Sequence, residues 1–430
     1  MILTTPELIA DLSASRGEPA WLRERRAAAW HVYQTTPAPA WSDEEWRRTD
    51  TSWVDWAGAA PAPNGAEPAK LALPMEVPNA SVLLRQRGSL VEVLYASPEA
   101  QRAGVTVASL AAAAETDGAT VADCLGTELA PPSAGKLQAM NAALWTGGAF
   151  VRIPAGAELT APIVIVVDAA DKPMYPRTLV STGVGSSADV LEWWRSSMEA
   201  SPGFANGCVE LFVGSGSRLS YTHVQAWDRE AGGFLSQHAR VARDAELATT
   251  NVTLGGRFHK GAISATLTGP GANVRLNGVA YLDGTQFADH HTLQDHRTTD
   301  AASDLLYVNV LDGAARSVYA GTIMVQPHAQ RSNAYQQNRN LMLQRGPRAD
   351  SIPRLEIMAD DVRCTHGSTT STIDPMHLYY LGSRGLNRDL ARSLIVDGTF
   401  EPVLDRIPNR TVRTAVRTAV RAKLHGNAPA

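Results

Sequence analysis

A cysteine and a histidine stand two residues apart in the last third of the sequence, as Cys364 and His366. The surrounding pattern predicts a β-strand, and side chains at positions i and i+2 of a strand share one face. A thiolate and an imidazole side by side suit zinc, iron or copper, but a closed zinc site or an iron–sulfur cluster takes about four ligands. The pair therefore predicts half of a metal site, with the other ligands supplied elsewhere in the chain or by a partner. The alternative is a buried cysteine beside a surface histidine at a strand end.

A second group of titratable side chains consists of His290, His291 and His296, which lie among Asp289 and Asp295. Three histidines so close together could ligate a metal ion. Neighbouring residues of a strand point to opposite faces, so His290 and His291 could reach one ion only at a bulge. Two interpretations stay open for this group, a metal site and hydrogen bonding between layers of strands.

From Phe150 onward the apolar residues recur with the period of two that β-strands produce. A four-residue phrase recurs there, made of a turn or small residue, Ala or Ser, a polar residue and an apolar residue. The intervals are 27 to 31 residues, with starts at Gly156, Ser187, Gly216, Asp244, Gly271 and Ala302. A corner followed by a strand at such even spacing is typical of a β-solenoid, whose coils bury each other's apolar faces. The sequence therefore predicts a mainly β fold with a β-helix core at residues 146–372.

Helical patterns precede this core. Residues 1–145 predict a mostly helical domain that includes an amphipathic run from Trp21 to Trp30. A stretch rich in Ala, Pro and Gly near 58–68 predicts a linker inside this domain.

Residues 373–430 predict a C-terminal helical domain. Asp374 followed by Pro375 is the start signal of a first helix. A second helix is expected to end near Gly398, and a third to end at Leu424 with apolar residues on one face and arginines on another.

Composition narrows the class of protein. The 39 basic and 43 acidic residues give a net charge of -4 without a basic stripe, so nucleic acid is not an expected partner. The first residues lack a basic segment followed by an apolar core, and no apolar run could span a bilayer, so we expect a cytoplasmic protein with no membrane role. Three widely separated cysteines fit a reducing compartment better than a disulfide framework.

The sequence carries no motif for nucleotide binding or serine-hydrolase chemistry. Gly135-Lys136 is followed by Leu137 where a P-loop needs Ser or Thr, and no nucleophile-elbow motif is present. We therefore expect ATP, if it is used, to be hydrolysed by a partner.

The motifs around Cys364 resemble the SufB/SufD family, the scaffold subunits of the Suf iron–sulfur cluster assembly machine. The resemblance is continuous from about Asp289 to Phe400, and its motifs are at 289–292, 316–319, 355–357, 364–367 and 378–385. The Glu-Trp-Arg-Arg-Thr-Asp segment at 45–50 and the Thr-His-Gly after Cys364 look most like SufD. The arginine-rich end of the chain agrees, because SufB-like chains carry a Glu-His-Ser segment there.

The resemblance implies a right-handed parallel β-helix between two helical domains, and a scaffold rather than an enzyme. It implies that His366, with Cys364 beside it, acts in cluster assembly at the interface with a SufB-like subunit of the SufBCD complex. The iron–sulfur cluster would be held transiently and shared between the subunits, and reduced flavin is a further possible cofactor of the complex. The helices after the core would bind the ATPase SufC, with contacts that include Tyr379, Tyr380, Arg384 and Leu386.

Other functions stay open. A SufB-type or self-paired primary scaffold would be expected to carry more thiols than three, although the chain could form a homodimer when SufB is absent. A β-helix polysaccharide lyase or metal enzyme could use His290 to His296. Such enzymes are typically secreted and carry clustered aspartates for calcium, and the sequence shows neither feature.

Overall fold

The computed structural model describes residues 5–57, 60–61, 80–169, 173–196 and 203–426, so most of the linker predicted near 58–68 lies outside the described residues. The α-helices of these ranges are α1 (Pro6–Ala14), α2 (Ala20–Thr35), α3 (Pro98–Arg102), α4 (Leu110–Thr116), α5 (Gly118–Cys124), α6 (Lys136–Leu144), α7 (Pro375–Ser383), α8 (Arg388–Leu404) and α9 (Arg410–Leu424). The strands are β1 (Val82–Arg87), β2 (Leu90–Ala96), β3 (Thr106–Ser109), β4 (Gly148–Ile153), β5 (Ile163–Asp168), β6 (Arg177–Thr182), β7 (Ser187–Arg195), β8 (Phe204–Val213), β9 (Arg218–Ala226), β10 (Gly232–Val241), β11 (Glu246–Thr253), β12 (Phe258–Leu267), β13 (Asn273–Leu282), β14 (Phe287–His296), β15 (Ala302–Leu311), β16 (Arg316–Val325), β17 (Asn333–Met342), β18 (Arg348–Ile357) and β19 (Arg363–Thr372).

From β4 onward, successive strands alternate between two sheets that face each other across a lumen. Sheet 1 has the order β19-β17-β15-β13-β11-β9-β7-β5-β1-β2, and sheet 2 has the order β18-β16-β14-β12-β10-β8-β6-β4-β3. Within each sheet these alternating strands pair in parallel, for example β12 with β14 without a register shift. The predicted fold class is confirmed: the core is a parallel β-helix, and helices lie at both ends.

The repeated phrase of the sequence marks one corner of successive coils. Gly216, Asp244 and Gly271 all have a positive φ, at 63°, 54° and 78°. Glycine adopts this conformation without the steric cost of a Cβ, and aspartate tolerates it better than most residues. Equivalent corners therefore recur along the chain and bring each new strand over its predecessor.

The N-terminal end of the β-helix is closed by strands that run in the other direction. In sheet 1, β1 pairs with β5 and is followed by β2, which pairs antiparallel to β1. In sheet 2, β3 pairs antiparallel to β4. The helices of this end pack around Trp145, Phe150 and Tyr175, all of them buried.

Helices α8 and α9 cover the outer face of sheet 1. Their buried residues include Phe400 and Val416, which share one apolar cluster with sheet residues such as Trp193. Helix α8 runs past the end expected near Gly398 and reaches Leu404, because Phe400 and the next turn are buried against the sheet.

The arginine face of α9 lies against acidic residues of α8. Arg417 pairs with Glu401 at 2.7 Å, and Arg421 pairs with Asp397 at 3.0 Å. The two helices thus form one amphipathic unit whose apolar side faces the sheet.

Element type changes close to both predicted domain bounds. Helix α6 ends at Leu144 shortly before β4, and β19 ends at Thr372 shortly before α7. The division into three domains stays a prediction, because α8 and α9 share an apolar cluster with the β-helix. Among the helices in the described ranges, none combines the length and the apolar character needed to cross a membrane.

Candidate functional site

The last coil of the β-helix leaves the lumen open. Strand β18 is the end strand of sheet 2 and β19 is the end strand of sheet 1, so each presents an unpaired edge among the described residues. Leu355 and Ile357, which continue the inward-facing rows of β16, are 36% and 39% exposed. The equivalent residues one coil earlier, Ile323 and Val325, are fully buried.

Cys364 and His366 both lie at this open mouth. In the register of β19 against β17, Cys364 pairs with Ala334 and His366 pairs with Gln336. Ala334 and Gln336 are each 1% exposed and belong to the lumen side. The two candidate side chains therefore sit on the inward face of β19, above the buried interior.

The environments of the two side chains differ. Cys364 is half-buried and packs against the apolar cluster that contains Ile323 and Ala334. Burial raises the pKa of its thiol, partly offset by the backbone N–H of Ala334. His366 is exposed. A metal ion or a neighbouring base would be needed to convert Cys364 to the thiolate that binds metal.

The described residues contain no group of three or more histidine, cysteine or acidic side chains placed to hold a metal ion. Cys364 and His366 thus offer two protein ligands at most within one chain. Chemically, the mouth can present a thiol and an imidazole to a species that also has ligands from another molecule.

The structure separates the three histidines of β14. His290 is buried, and its Nε2 lies 3.0 Å from the hydroxyl of Thr253. His296 is buried and contacts the hydroxyls of Ser303 and Ser332 at 2.8 and 3.2 Å. His291 lies on the opposite face of the strand. These contacts favour hydrogen bonding between strand layers, and the three rings do not form a metal site together.

Asp289 organises the outer face of the same strand. The sequence shows Asp289 beside the histidines, but it does not predict the contacts of this carboxylate. It is 1% exposed and accepts hydrogen bonds from Thr49 and Lys260, while His291 Nε2 lies 3.1 Å from its Oδ1. Despite its burial, these donors lower the pKa of the Asp289 carboxyl. Thr49 belongs to a segment that we call the hook, residues 36–57, which crosses the outer face of sheet 2.

The hook joins two of the motifs on which the resemblance rests. Thr49 stands in the Glu-Trp-Arg-Arg-Thr-Asp segment, and Asp289 opens the Asp-His-His-Thr segment. Lys260 also donates to the backbone carbonyl of Glu45 at 2.9 Å. No spacing rule could pair residues 240 positions apart, so only the fold reveals this contact.

Helix α7 presents the residues predicted to bind a partner. Tyr379 is 73% exposed, Tyr380 is 56% exposed, and no residue of α7 is buried. The Arg384 guanidinium lies 5.2 Å from the centre of the Tyr380 ring, and Leu386 is half-buried. On α8, Leu390 and Leu394 add further exposed apolar surface.

Comparison with known proteins places this chain among iron–sulfur assembly proteins. A family model described as the SUF system FeS cluster assembly, SufBD core domain, matches residues 165–399. That region begins within β5 and contains the β-helix as far as β19, both candidate residues at its mouth, all of α7 and most of α8.

Curated relatives carry the description iron-sulfur cluster assembly SufBD family protein. One from Mycobacterium leprae is 34% identical over 48% of this chain and 54% of its own length. One from Synechocystis is 28% identical over 63% of this chain and 62% of its own length. One from Staphylococcus epidermidis is 20% identical over 94% and 90%. The chain thus spans between half and two thirds of the length of the first two relatives.

Proposed function

Because the chain belongs to the SufBD family of iron–sulfur cluster assembly proteins, we propose that it is a SufD-like scaffold subunit. It pairs edge to edge with a SufB-like β-helix, and a nascent cluster is built at that junction. The cluster is cargo that the two subunits share transiently. ATP hydrolysis belongs to the partner SufC, and reduced flavin in the complex remains a prediction.

The open mouth of the β-helix is the observation that carries this proposal. Unpaired strand edges on ordinary soluble proteins are usually covered or kept short, because they recruit other strands. Here both sheets end in ten-residue strands, and the inward residues Leu355 and Ile357 remain half-exposed. A second β-helix stacked on this end would complete both sheets and bury these side chains.

The roles of the two candidate residues follow from their positions. His366 is exposed at the mouth, where an imidazole can ligate iron or move a proton near neutral pH. Cys364 is half-buried, and its raised pKa keeps the thiol protonated until a metal or base approaches. We therefore assign the first contact with the cluster to His366 and a supporting role to Cys364.

The test compares His366→Ala and Cys364→Ser with Thr365→Ala, a neighbour on the opposite face of the strand. Each full-length variant is co-expressed with the SufB-like and SufC subunits, and melting temperature, complex recovery, iron and sulfide are measured. We expect His366→Ala to keep the complex and the melting temperature but lose the cluster. A variant that melts early yet carries normal iron and sulfide would return His366 to a structural role.

SufC docks on α7 and the exposed side of α8. The other side of α8 and the apolar face of α9 are occupied by sheet 1, so they are not accessible to a partner. Exposed tyrosines are frequent anchors of protein interfaces. The sequence resemblance and the exposure of Tyr379 and Tyr380 thus support the same surface.

Point variants suit the test of this dock better than removal of the helices, which would bare the apolar face of sheet 1. Tyr379→Ala with Tyr380→Ala should weaken SufC binding at least tenfold in a titration, on the scale of interface anchors. Trp41→Ala is the matched control, because Trp41 is an aromatic residue 80% exposed on the hook. Equal SufC affinity of the double variant and wild type would place the dock elsewhere.

A self-paired primary scaffold is the second candidate, favoured by the same free edges, which could accept a second copy of this chain. The two candidates differ in what the chain does alone. Purified anaerobically without partners, a subordinate subunit should be colourless. A brown protein with stoichiometric iron and sulfide would favour the self-paired scaffold.

A further inference from the structure

The two free edges of the last coil are not equivalent in their backbone donors. In β18, the N–H of Arg348 bonds to Ala315 O at 3.0 Å, and the N–H of Met358, just after the strand, bonds to Val325 O at 2.9 Å. Both bonds point to the previous coil, and the register between β16 and β18 has no shift. Donors alternate in direction along a parallel strand, so the odd-numbered residues of β18 direct their nitrogens to the free edge.

Position 353 is one of these odd-numbered residues, and it is a proline. Proline has no N–H, so the free edge of β18 lacks a donor near its midpoint. No hydrogen bond inside the chain is lost, because the nitrogen at this position faces away from β16. Proline in a strand is tolerated where its nitrogen faces outward from an edge.

The free edge of β19 has an uninterrupted row of backbone N–H donors. The N–H of Arg363 bonds to Ser332 O in the previous coil at 2.9 Å, so the even-numbered residues direct their N–H groups to the free edge. These residues include Cys364, His366 and Ser368, and β19 contains no proline. A partner strand could therefore pair along the whole of β19.

Pro353 and His366 face each other across the lumen. One coil earlier, Gln336 Nε2 reaches across the lumen to Gly321 O at 3.3 Å. Pro353 pairs with Gly321 in sheet 2, and His366 pairs with Gln336 in sheet 1. The missing donor is thus on the wall opposite the exposed imidazole.

We propose that the end strands of a second β-helix pair continuously with β19 but with a break at Pro353 in β18. The break leaves a gap in the wall of the shared lumen, level with His366, through which small solutes reach Cys364 and His366. This inference rests on the proposed function, since it presumes that the open end is the joint. It adds that the strand pairing between the two β-helices is continuous in sheet 1 and interrupted in sheet 2.

Pro353→Ala tests the proposal, because it restores the N–H without adding bulk. In the full-length chain with the SufB-like subunit, we expect the dissociation constant to fall by roughly two- to tenfold, the worth of one hydrogen bond. Alkylation of Cys364 by a small reagent, followed by peptide mass spectrometry, should slow in the complex and stay unchanged in the isolated chain. Ser351→Ala is the matched control, since it alters the same strand but keeps its N–H.

Ser368→Pro removes a donor from the other edge and should weaken the complex several-fold, with Thr370→Pro as a second such variant if the first melts early. If the variant that folds normally leaves the affinity unchanged, the open end is not where the two β-helices meet, and the proposed function fails with this inference. If that variant weakens the complex while Pro353→Ala alters neither the affinity nor the alkylation rate, only the gap at Pro353 is overturned.

Discussion

The two ends of the β-helix are built from similar strands but finished differently. At the N-terminal end, β2 and β3 run antiparallel to the strands they cover, so neither sheet can be continued by another parallel coil. At the C-terminal end, β18 and β19 keep the parallel direction of the strands before them and have no cover among the described residues. Repeat proteins need terminal caps to stay soluble and monomeric. The end without a cap is therefore the end that another chain is expected to complete.

The same difference is visible in one residue type. Leu84 of β1 faces the lumen at the capped end and is 0% exposed, whereas Leu355 of β18 is 36% exposed at the open end. Both side chains point inward, so their different exposure does not come from the alternation of inward and outward residues. It shows that the core is covered at one end and uncovered at the other. The chain therefore buries its own core residues completely at the N-terminal end of the β-helix but not at the C-terminal end.

The largest expected effect comes from shortening Leu84, and Leu355 serves as its comparison at the open end. Leu84→Ala should lower the free energy of unfolding by about 3–5 kcal/mol, because a cavity opens in a closed core. Leu355→Ala should cost below about 1.5 kcal/mol in the isolated chain, because part of this side chain is already in water. Urea unfolding of both variants measures the difference, and equal losses would contradict the contrast between the ends.

The hook offers a second way to sharpen the comparison, since it ties the N-terminal part of the chain to the middle of sheet 2. Asp289→Asn keeps the size of the side chain but removes the charge that Lys260 and Thr49 bond to. We expect a loss of about 1.5–3 kcal/mol, the range for hydrogen bonds to charged groups. Limited proteolysis within residues 36–57 should accelerate, and Thr49→Val should show a smaller acceleration.

The closed part of the lumen should be sensitive to acid. Burial lowers the pKa of His223 to about 3 and of His290 and His296 to about 4, below the ordinary value of 6.5. Between pH 6.5 and 4 the unfolded chain binds more protons at these sites, so folding stability falls as the pH falls and is full above 6.5. Each histidine should cost on the order of 1–2 kcal/mol at pH 5.

Unfolding midpoints in urea at pH 7 and pH 5 measure this acid sensitivity. The matched variant is His290→Gln, which keeps a polar side chain but cannot take up a proton in this range. Its stability should depend less on pH than that of the wild type. An equal dependence in both proteins would contradict the assignment to buried histidines.

The smallest effect is expected where the hook reaches the open end. Arg354 of β18 forms an ion pair with Glu44 of the hook, whose side chain is 62% exposed while that of Arg354 is 35% exposed. Exposed ion pairs of this kind contribute about 0–1 kcal/mol. Arg354→Ala should therefore leave the melting temperature nearly unchanged, and a marked drop would mean that the hook acts as a cap for the last coil.

Local signals made much of this fold predictable. Corners recur at residues that tolerate a positive φ, and the caps at Asp374 and Asn387 begin α7 and α8 as N-cap chemistry requires. The end of α8 was not predictable, because the burial of Phe400 against sheet 1 overrides the weak helix propensity of Gly398.

The candidate site also has features that local sequence predicts and features that depend on the whole fold. The shared face of Cys364 and His366 follows from strand periodicity, but their place at an open mouth depends on where the coils stop. The contact between Thr49 and Asp289 depends on the whole chain path. Pro353 could have been noticed as a proline within a strand pattern, yet its meaning needs the direction of its nitrogen, which only the register supplies.

The cover over sheet 1 has a mechanical consequence. Helices α8 and α9 pack against the outer face of sheet 1, whose last strand is β19. Helix α7 precedes them and has no buried residue. A force that a partner applies to α7 is transmitted through close-packed side chains, which deform little. If a partner binds α7 as proposed, movement of α8 and α9 is therefore expected to strain the edge of sheet 1 that carries Cys364 and His366.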